Sequence, residues 1–188
     1  MSLIPFGFWA ASGGGGAAGG FDLLETTILT TTASSVTFDN LDAYSGYRNL
    51  QIRIVARSNV GAGNSSLVGL GVNGDTGSNY VWHFIRGTGS IVQSDAGTNK
   101  TSMERLFYIP GPNATANAFG SGVIDILDFS SSSKNTTARA LGGEVGADSQ
   151  IALASGAFFN TAAVTSLEIK DLFGSFIATS RFSLYGSV

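Results

Sequence analysis

The sequence lacks cysteine altogether, and this absence excludes disulfides, thiolate metal sites and a cysteine nucleophile. Histidine occurs once, so a transition-metal site built from several imidazoles is excluded as well. Charged residues make up only 12% of the 188 residues, the net charge is -3, and Lys and Arg form no cluster. Nucleic acid, which is held through basic surfaces, is therefore not expected as a partner.

Long apolar runs are also missing. The longest, Leu3 to Ala11, is too short to span a bilayer and has no basic residues before it of the kind that precede a signal-peptide core. We therefore expect neither membrane insertion nor a secretion signal. A length of 188 residues fits one domain that buries a sizeable core.

The chain is rich in short stretches in which apolar and polar residues alternate. In YRNLQIRIVAR, Leu50, Ile52, Ile54 and Ala56 fall on one side, while the residues on the other side are polar up to Arg57, with Val55 the exception. A period of two predicts a β-strand with one buried face. Ten similar runs follow the same composition: LLETTILTTT, SVTF, LVGLGV, NYVWHFI, MERLFYI, GVIDILDF, TARALGG, IALASGAFF, AVTSLEIK and SRFSLYG.

Turn-forming residues separate most of these runs. Asn73-Gly74 lies between two apolar runs and predicts a β-hairpin, because both residues tolerate positive φ. PGPNATANAFG and SSSSKNTT are typical of surface connections. No window carries an amphipathic helical stripe. Eight to eleven short strands predict an all-β fold: an antiparallel, jelly-roll-like β-sandwich.

The first twenty residues differ from the rest. Gly13 to Gly20 contains only Gly and Ala, a composition that predicts a flexible tether. Ahead of it lies an apolar group suited to an interface anchor: Leu3, Ile4, Phe6, Phe8 and Trp9. We expect residues 1–20 to form an extended N-terminal arm on a β-sandwich domain at residues 21–188. Insertion of the anchor into a partner is favoured over folding back, which needs no such long spacer.

The order of four segments resembles small β-sandwich structural proteins of tailed bacteriophages, of the capsid decoration, cement, minor structural or tail-fibre types. The segments are FDLLETTILTTTASSVTFDNLDAYSGYRNLQIRIVARS, GLGVNGDTGSNYVWHFIRGTGS, VIDILDFSSSSKNTTARALGG and IALASGAFFNTAAVTSLEIKD with the terminal SRFSLYG. The start LIPFGFWAAS is similar to the N-terminal attachment segment of many phage virion proteins. The resemblance implies a β-sandwich on a virus particle.

An enzymatic site finds little support in the residues. His83 alternates with Trp82 and Phe84 on a predicted strand, and no GxSxG elbow accompanies it, so we expect a surface or hydrogen-bonded histidine. Asp125 and Asp128, three residues apart, point to opposite faces of a strand, which is poor geometry for a shared acid and base. One is expected to be exposed on the strand and the other to cap the following turn.

The sequence also contains candidate residues for a calcium site and for a glycan site. Asn73, Asp75 and Asn79 offer oxygen ligands for calcium, but their spacing is not that of an EF-hand and a turn is favoured. Tyr80 and Trp82 share one strand face and are candidates for stacking on a glycan, although a core position is favoured for Trp82. Neither a metal nor a cofactor is expected.

The residues favour a non-enzymatic protein, and the resemblance to phage structural proteins implies a virion protein that is assembled in the host cytoplasm. Neutral strands rich in Thr, Ser, Ala and Gly pack against copies of themselves at low desolvation cost, and few Lys residues protect the sheet edges. We expect a homotrimer acting as a capsid cement or decoration protein, with the major capsid protein or another virion protein as partner. The alternative is a tail or fibre module for a host-surface glycan, and a free-standing lectin or glycan-active enzyme is a third hypothesis.

Overall fold

The computed structural model describes residues 20–61, 63–146 and 148–188. This part of the chain forms twelve strands and one short 3-10 helix, Leu41–Tyr44. Residues 1–19, which hold the predicted anchor and most of the tether, lie outside the described residues. The strands are β1 Asp22–Ile28, β2 Ser35–Phe38, β3 Asn49–Ala56, β4 Ser65–Val72, β5 Tyr80–Gly87, β6 Val92–Lys100, β7 Met103–Pro110, β8 Gly120–Leu127, β9 Thr136–Glu144, β10 Gln150–Phe158, β11 Leu167–Asp171 and β12 Arg181–Ser187.

The strands form two antiparallel sheets that pack face to face. The large sheet has eight strands in the order β1-β12-β3-β8-β9-β10-β5-β6, and the small sheet has four in the order β2-β11-β4-β7. The predicted all-β, jelly-roll-like antiparallel sandwich is thus confirmed. Among the described residues the strands number one more than the upper prediction. The run that sequence patterning missed, β6, is polar and exposed along most of its length at the edge of the large sheet.

The core lies between the sheets and follows the predicted alternation. Leu50, Ile52, Ile54 and Ala56 of β3 are all buried. Arg57, predicted on the exposed side, is buried instead, because β3 ends one residue earlier. Its guanidinium donates to backbone carbonyls of the connection between β7 and β8, those of Pro112, Ala114, Thr115 and Ala118.

The centre of the sandwich combines large side chains from the small sheet with very small ones from the large sheet. Phe107 of β7 is fully buried and lies against Gly122 of β8 and Gly142 of β9, which are Cα partners. A Cβ at Gly122 would lie 2.3 Å from the Phe107 ring, and one at Gly142 would lie 2.5 Å from it. Glycine therefore lets the two sheets approach closely at this point.

The connections follow the predicted loops with one correction. Asn73 and Gly74 both have positive φ and form a tight turn, closed by a bond of 3.0 Å from the Asp75 amide to the Val72 carbonyl. The turn does not make a β-hairpin, because β4 belongs to the small sheet and β5 to the large one. PGPNATANAFG joins β7 to β8 and SSSSKNTT leads into β9, both as surface connections.

Candidate functional site

The outer face of the large sheet, defined as the side turned away from the small sheet, carries apolar side chains in register. Val123, Leu141, Leu153 and Ile85 lie on four neighbouring strands and are successive Cα partners. Leu141 is 47% exposed, Leu153 55% and Ile85 45%. These four residues are called the apolar row below. Side chains at alternate positions of the same strands point inward, so the row is built by the pleat of the sheet.

A second line of residues widens this apolar surface. This line lies on the same face, two residues along the strands from the line of the apolar row. It includes Val55, Gly143, Ile151 and Val92. Gly143 has no side chain, and with its neighbours it leaves a shallow recess of about 690 Å³ between β3 and β10. A second recess of about 280 Å³ continues it toward Ile85 and Val92. The result is a broad apolar groove across the sheet.

Polar residues occupy the other side of the apolar row. Gln51, Asp125, Arg139, Ser155 and His83 are successive partners on β3, β8, β9, β10 and β5. Asp125 accepts from Gln51 at 2.8 Å and from Arg139 at 3.1 Å. The charge of the Asp125 carboxylate is thus paired within this line of polar residues. A third recess of about 600 Å³ lies beside Arg139, Ser155 and His83.

The described chain begins at one end of the apolar row. Arg53 is the Cα partner of Val123 and lines the recess of about 690 Å³. Its guanidinium carbon lies 4.2 Å from the centre of the Tyr185 ring and 5.3 Å from that of Phe21. Both contacts are cation–π interactions. The start of the sandwich domain is therefore held against the rim of the groove.

A buried carboxylate lies beside the recess of about 690 Å³, at an inward-facing position of β9. Glu144 is 4% exposed, and its Oε2 has no hydrogen-bond partner among the described residues. Its Oε1 accepts from Gln150 Nε2 at 3.4 Å, and Gln150 Oε1 accepts from Arg86 at 2.7 Å. Burial raises the pKa of Glu144, with a smaller contribution from the charge of Asp148, while the bond from Gln150 opposes the rise.

The candidate glycan contacts Tyr80 and Trp82 are both buried on the inner side of β5. The Tyr80 hydroxyl donates to the Val72 carbonyl and accepts from the Val72 amide, each at 3.1 Å. The Trp82 ring occupies the space that a side chain at Gly97 would fill. The interpretation of these two rings as glycan contacts is therefore wrong, and the favoured core position of Trp82 is confirmed.

The other candidate residues have structural roles in the part of the chain that the structure describes. His83 is exposed on the side opposite Trp82 and Phe84, as predicted, and has no carboxylate partner there. Asp125 is on the outer face, while Asp128 begins the turn after β8 and pairs with Arg48 and Lys134. These two ion-pair bonds hold the pKa of Asp128 below its usual value.

The predicted calcium ligands around Asp75 form a turn that is closed by its own hydrogen bonds. The Asp75 carboxylate accepts bonds from the Gly77 amide at 2.9 Å and from the Asn79 side chain, so it organises its own turn. Nowhere between residues 20 and 188, outside the two gaps, do three His, Asp or Glu side chains gather in a way that could hold a metal ion. Within those ranges, no helix has the length and apolar character needed to cross a membrane.

The predicted anchor, Leu3, Ile4, Phe6, Phe8 and Trp9, lies outside the described residues.

The apolar groove was not predicted from the sequence. A signal for it is present in IALASGAFF, where the large residues Ile151 and Leu153 alternate with the small residues Ala152 and Ala154. The small residues are buried and the large ones are exposed. Apolar residues on both faces of one strand are typical of a sheet that is covered on both sides.

The chain has a structural similarity to a known carbohydrate-binding module. The chain matches no protein family and no curated protein. A solved structure, the CBM40 module of the Ruminococcus gnavus IT-sialidase bound to α2,3-sialyllactose, matches with 7% identity and a TM-score of 0.33. The match covers 86% of this chain and 90% of that one.

Proposed function

We propose that this chain is a non-enzymatic structural protein of a tailed-phage particle, a capsid cement or decoration protein that associates with copies of itself and with another virion protein. The apolar groove on the outer face carries this proposal. Half-exposed Leu141 and Leu153 at the centre of a wide sheet are typical of a surface that is covered in an assembly. The resemblance of the sequence to phage structural proteins supports the choice of a phage particle as the assembly.

The electrostatics of the outer face support assembly. Asp125 is paired with Arg139, and Arg53 is stacked on aromatic rings, so the charges that would lose hydration when the face is covered already have compensating partners. The recesses are shallow and open along the sheet. A wide surface of this shape suits a protein partner better than a small substrate.

Electron microscopy of phage particles tests the proposal. Particles would be prepared from a host that produces the phage encoding this chain, and a gold-labelled antibody against the chain would mark its position. Regular labelling of the capsid shell supports a cement or decoration protein. Complete absence of label from intact particles, with the chain present in the same lysate, would overturn the proposal.

A tail or fibre module that binds a host-surface glycan is the second candidate. The polar residues beside the apolar row support a glycan site, because His83, Arg139 and Ser155 line a recess of about 600 Å³ with hydrogen-bonding groups. A glycan array probed with the full chain tests this alternative. Binding that Arg139→Ala abolishes, and that Lys170→Ala at an ion pair on the small sheet leaves intact, would favour the glycan module over the cement protein.

A further inference from the structure

The width of the apolar groove can be compared with the extended length of the N-terminal segment, which lies outside the described residues. Arg53, which flanks the Val123 end of the apolar row, and Ile85, at its other end, lie on strands separated by four steps through β8, β9 and β10. At about 4.8 Å a step, this distance is about 19 Å. The first described residues lie at the Arg53 end, where Phe21 contacts the guanidinium.

The N-terminal segment has the composition and length to cover this groove. Residues 1–21 contain no Asp, Glu, Lys or Arg, and Leu3–Trp9 carries the five apolar anchor side chains. Seven extended residues span about 23 Å, close to the distance of about 19 Å from Arg53 to Ile85. Aromatic rings in the segment also suit Arg53, which already stacks on Phe21 and Tyr185.

We propose that the outer face is the binding surface for Leu3–Trp9 of a neighbouring copy, so that each chain lays its N-terminal segment across β8, β9, β10 and β5 of the next. The eleven residues between Trp9 and Phe21 extend to about 36 Å, nearly twice the width of the groove. Such a spacer is longer than docking onto the same chain requires, and it allows the segment to reach a second molecule. This inference rests on the proposed assembly function and names the surfaces that carry it.

The geometry of this contact is head to tail. One chain provides the segment and the next provides the groove, so the two surfaces differ. A contact of this kind closes into a ring when its rotation allows, and it is compatible with the homotrimer expected from the sequence. The segment would cover Leu141 and Leu153, which are otherwise half-exposed.

Two full-length variants and their mixture test the proposal. A face variant, Leu153→Glu, places a charge in the groove, and an arm variant, Phe6→Ser with Trp9→Ser, removes two anchor rings. Sedimentation velocity over a range of concentrations should show self-association weakened about tenfold or more in each variant alone. The equimolar mixture should form pairs, because the arm variant keeps an intact groove and the face variant keeps an intact segment.

Controls separate the groove from general effects. Phe173→Glu changes an apolar residue of similar exposure on the loop after β11 and should associate like the unchanged chain. Leu141→Glu is a second face variant, and circular dichroism verifies that each variant is folded. A chain that is monomeric at all concentrations, or a mixture that stays unpaired while the unchanged chain associates, would overturn the inference.

The proposed function and this inference can fail separately. A chain that labels the capsid but does not associate through segment and groove would overturn the inference and leave the function standing. A chain whose variants pair as described but that is absent from particles would overturn the virion function and leave the segment and groove contact standing.

Discussion

Leu141 of β9 and Leu153 of β10 are directly opposed Cα partners on the outer face, and both are about half exposed. Buried neighbours on the same strands, Ala140 and Ala154, are far smaller. At this position the sheet therefore carries larger apolar side chains on its outer face than on its inner face. Such an arrangement is explained if the outer face is itself covered in the assembled state.

Replacing Leu153 with Glu should have only a modest effect on the stability of the isolated chain. The substitution loses two cross-strand apolar contacts, with Leu141 and Ile85, at an exposed position, so we expect a loss of less than about 2 kcal/mol in the free energy of unfolding. Urea denaturation at a concentration too low for association measures it. A loss of several kcal/mol would mean that Leu153 belongs to the core of the single chain.

Replacing Gly122 with Ala should destabilise the chain by about 1–3 kcal/mol, because the new methyl group overlaps the Phe107 ring. Gly46→Ala is the matched control, since nothing lies within 4 Å of its added Cβ, and it should be neutral or slightly stabilising. Adding Phe107→Leu to Gly122→Ala should relieve the overlap, so the two changes together cost less than their sum. Strict additivity in urea denaturation would contradict this packing.

Replacing Glu144 with Gln should stabilise the chain at neutral pH and have little effect near pH 4. Burial raises the folded-state pKa of Glu144 above its ordinary value of 4.5, so the folded chain binds the proton more tightly than the unfolded chain. The resulting stability is fully present below the unfolded pKa and is lost as the pH rises through the folded pKa. The Tm of the variant should therefore exceed that of the unchanged chain at pH 7. Equal Tm differences at both pH values would contradict the assignment.

Replacing Arg57 with Met should lower the free energy of unfolding by about 2–4 kcal/mol, because four backbone carbonyls lose their buried donor. Arg48→Met is the matched control. Its guanidinium is largely exposed in an ion pair with Asp128, so the change should have a small effect. Similar losses in the two variants, measured by urea denaturation, would show that the connection between β7 and β8 does not depend on Arg57.

The sequence predicts most of the sandwich because alternation is strong where one face is buried, as in Leu50, Ile52 and Ile54. It does not predict β6, since Val92 and most of the following residues are exposed and the strand is defined by pairing with β5. The groove was also missed. Its side chains come from strands distant in the chain, so Val123, Leu141 and Ile85 become neighbours only through the strand order. Turn chemistry at Asn73 predicts a local bend but not the sheet to which the next strand belongs.

Disulfide cross-linking between two separate chains tests the central claim most directly. The native chain has no cysteine, so each variant carries a single thiol. Gly7→Cys lies between two anchor rings, and Ser155→Cys lies beside Leu153 on β10, while Ser45→Cys is an exposed control near the 3-10 helix. We predict that mixing the Gly7→Cys and Ser155→Cys chains under mild oxidation gives a mixed disulfide of twice the chain mass, well above the yield with Ser45→Cys. Equal yields with both, or no mixed disulfide between the Gly7→Cys and Ser155→Cys chains, would contradict the exchange of N-terminal segments between copies.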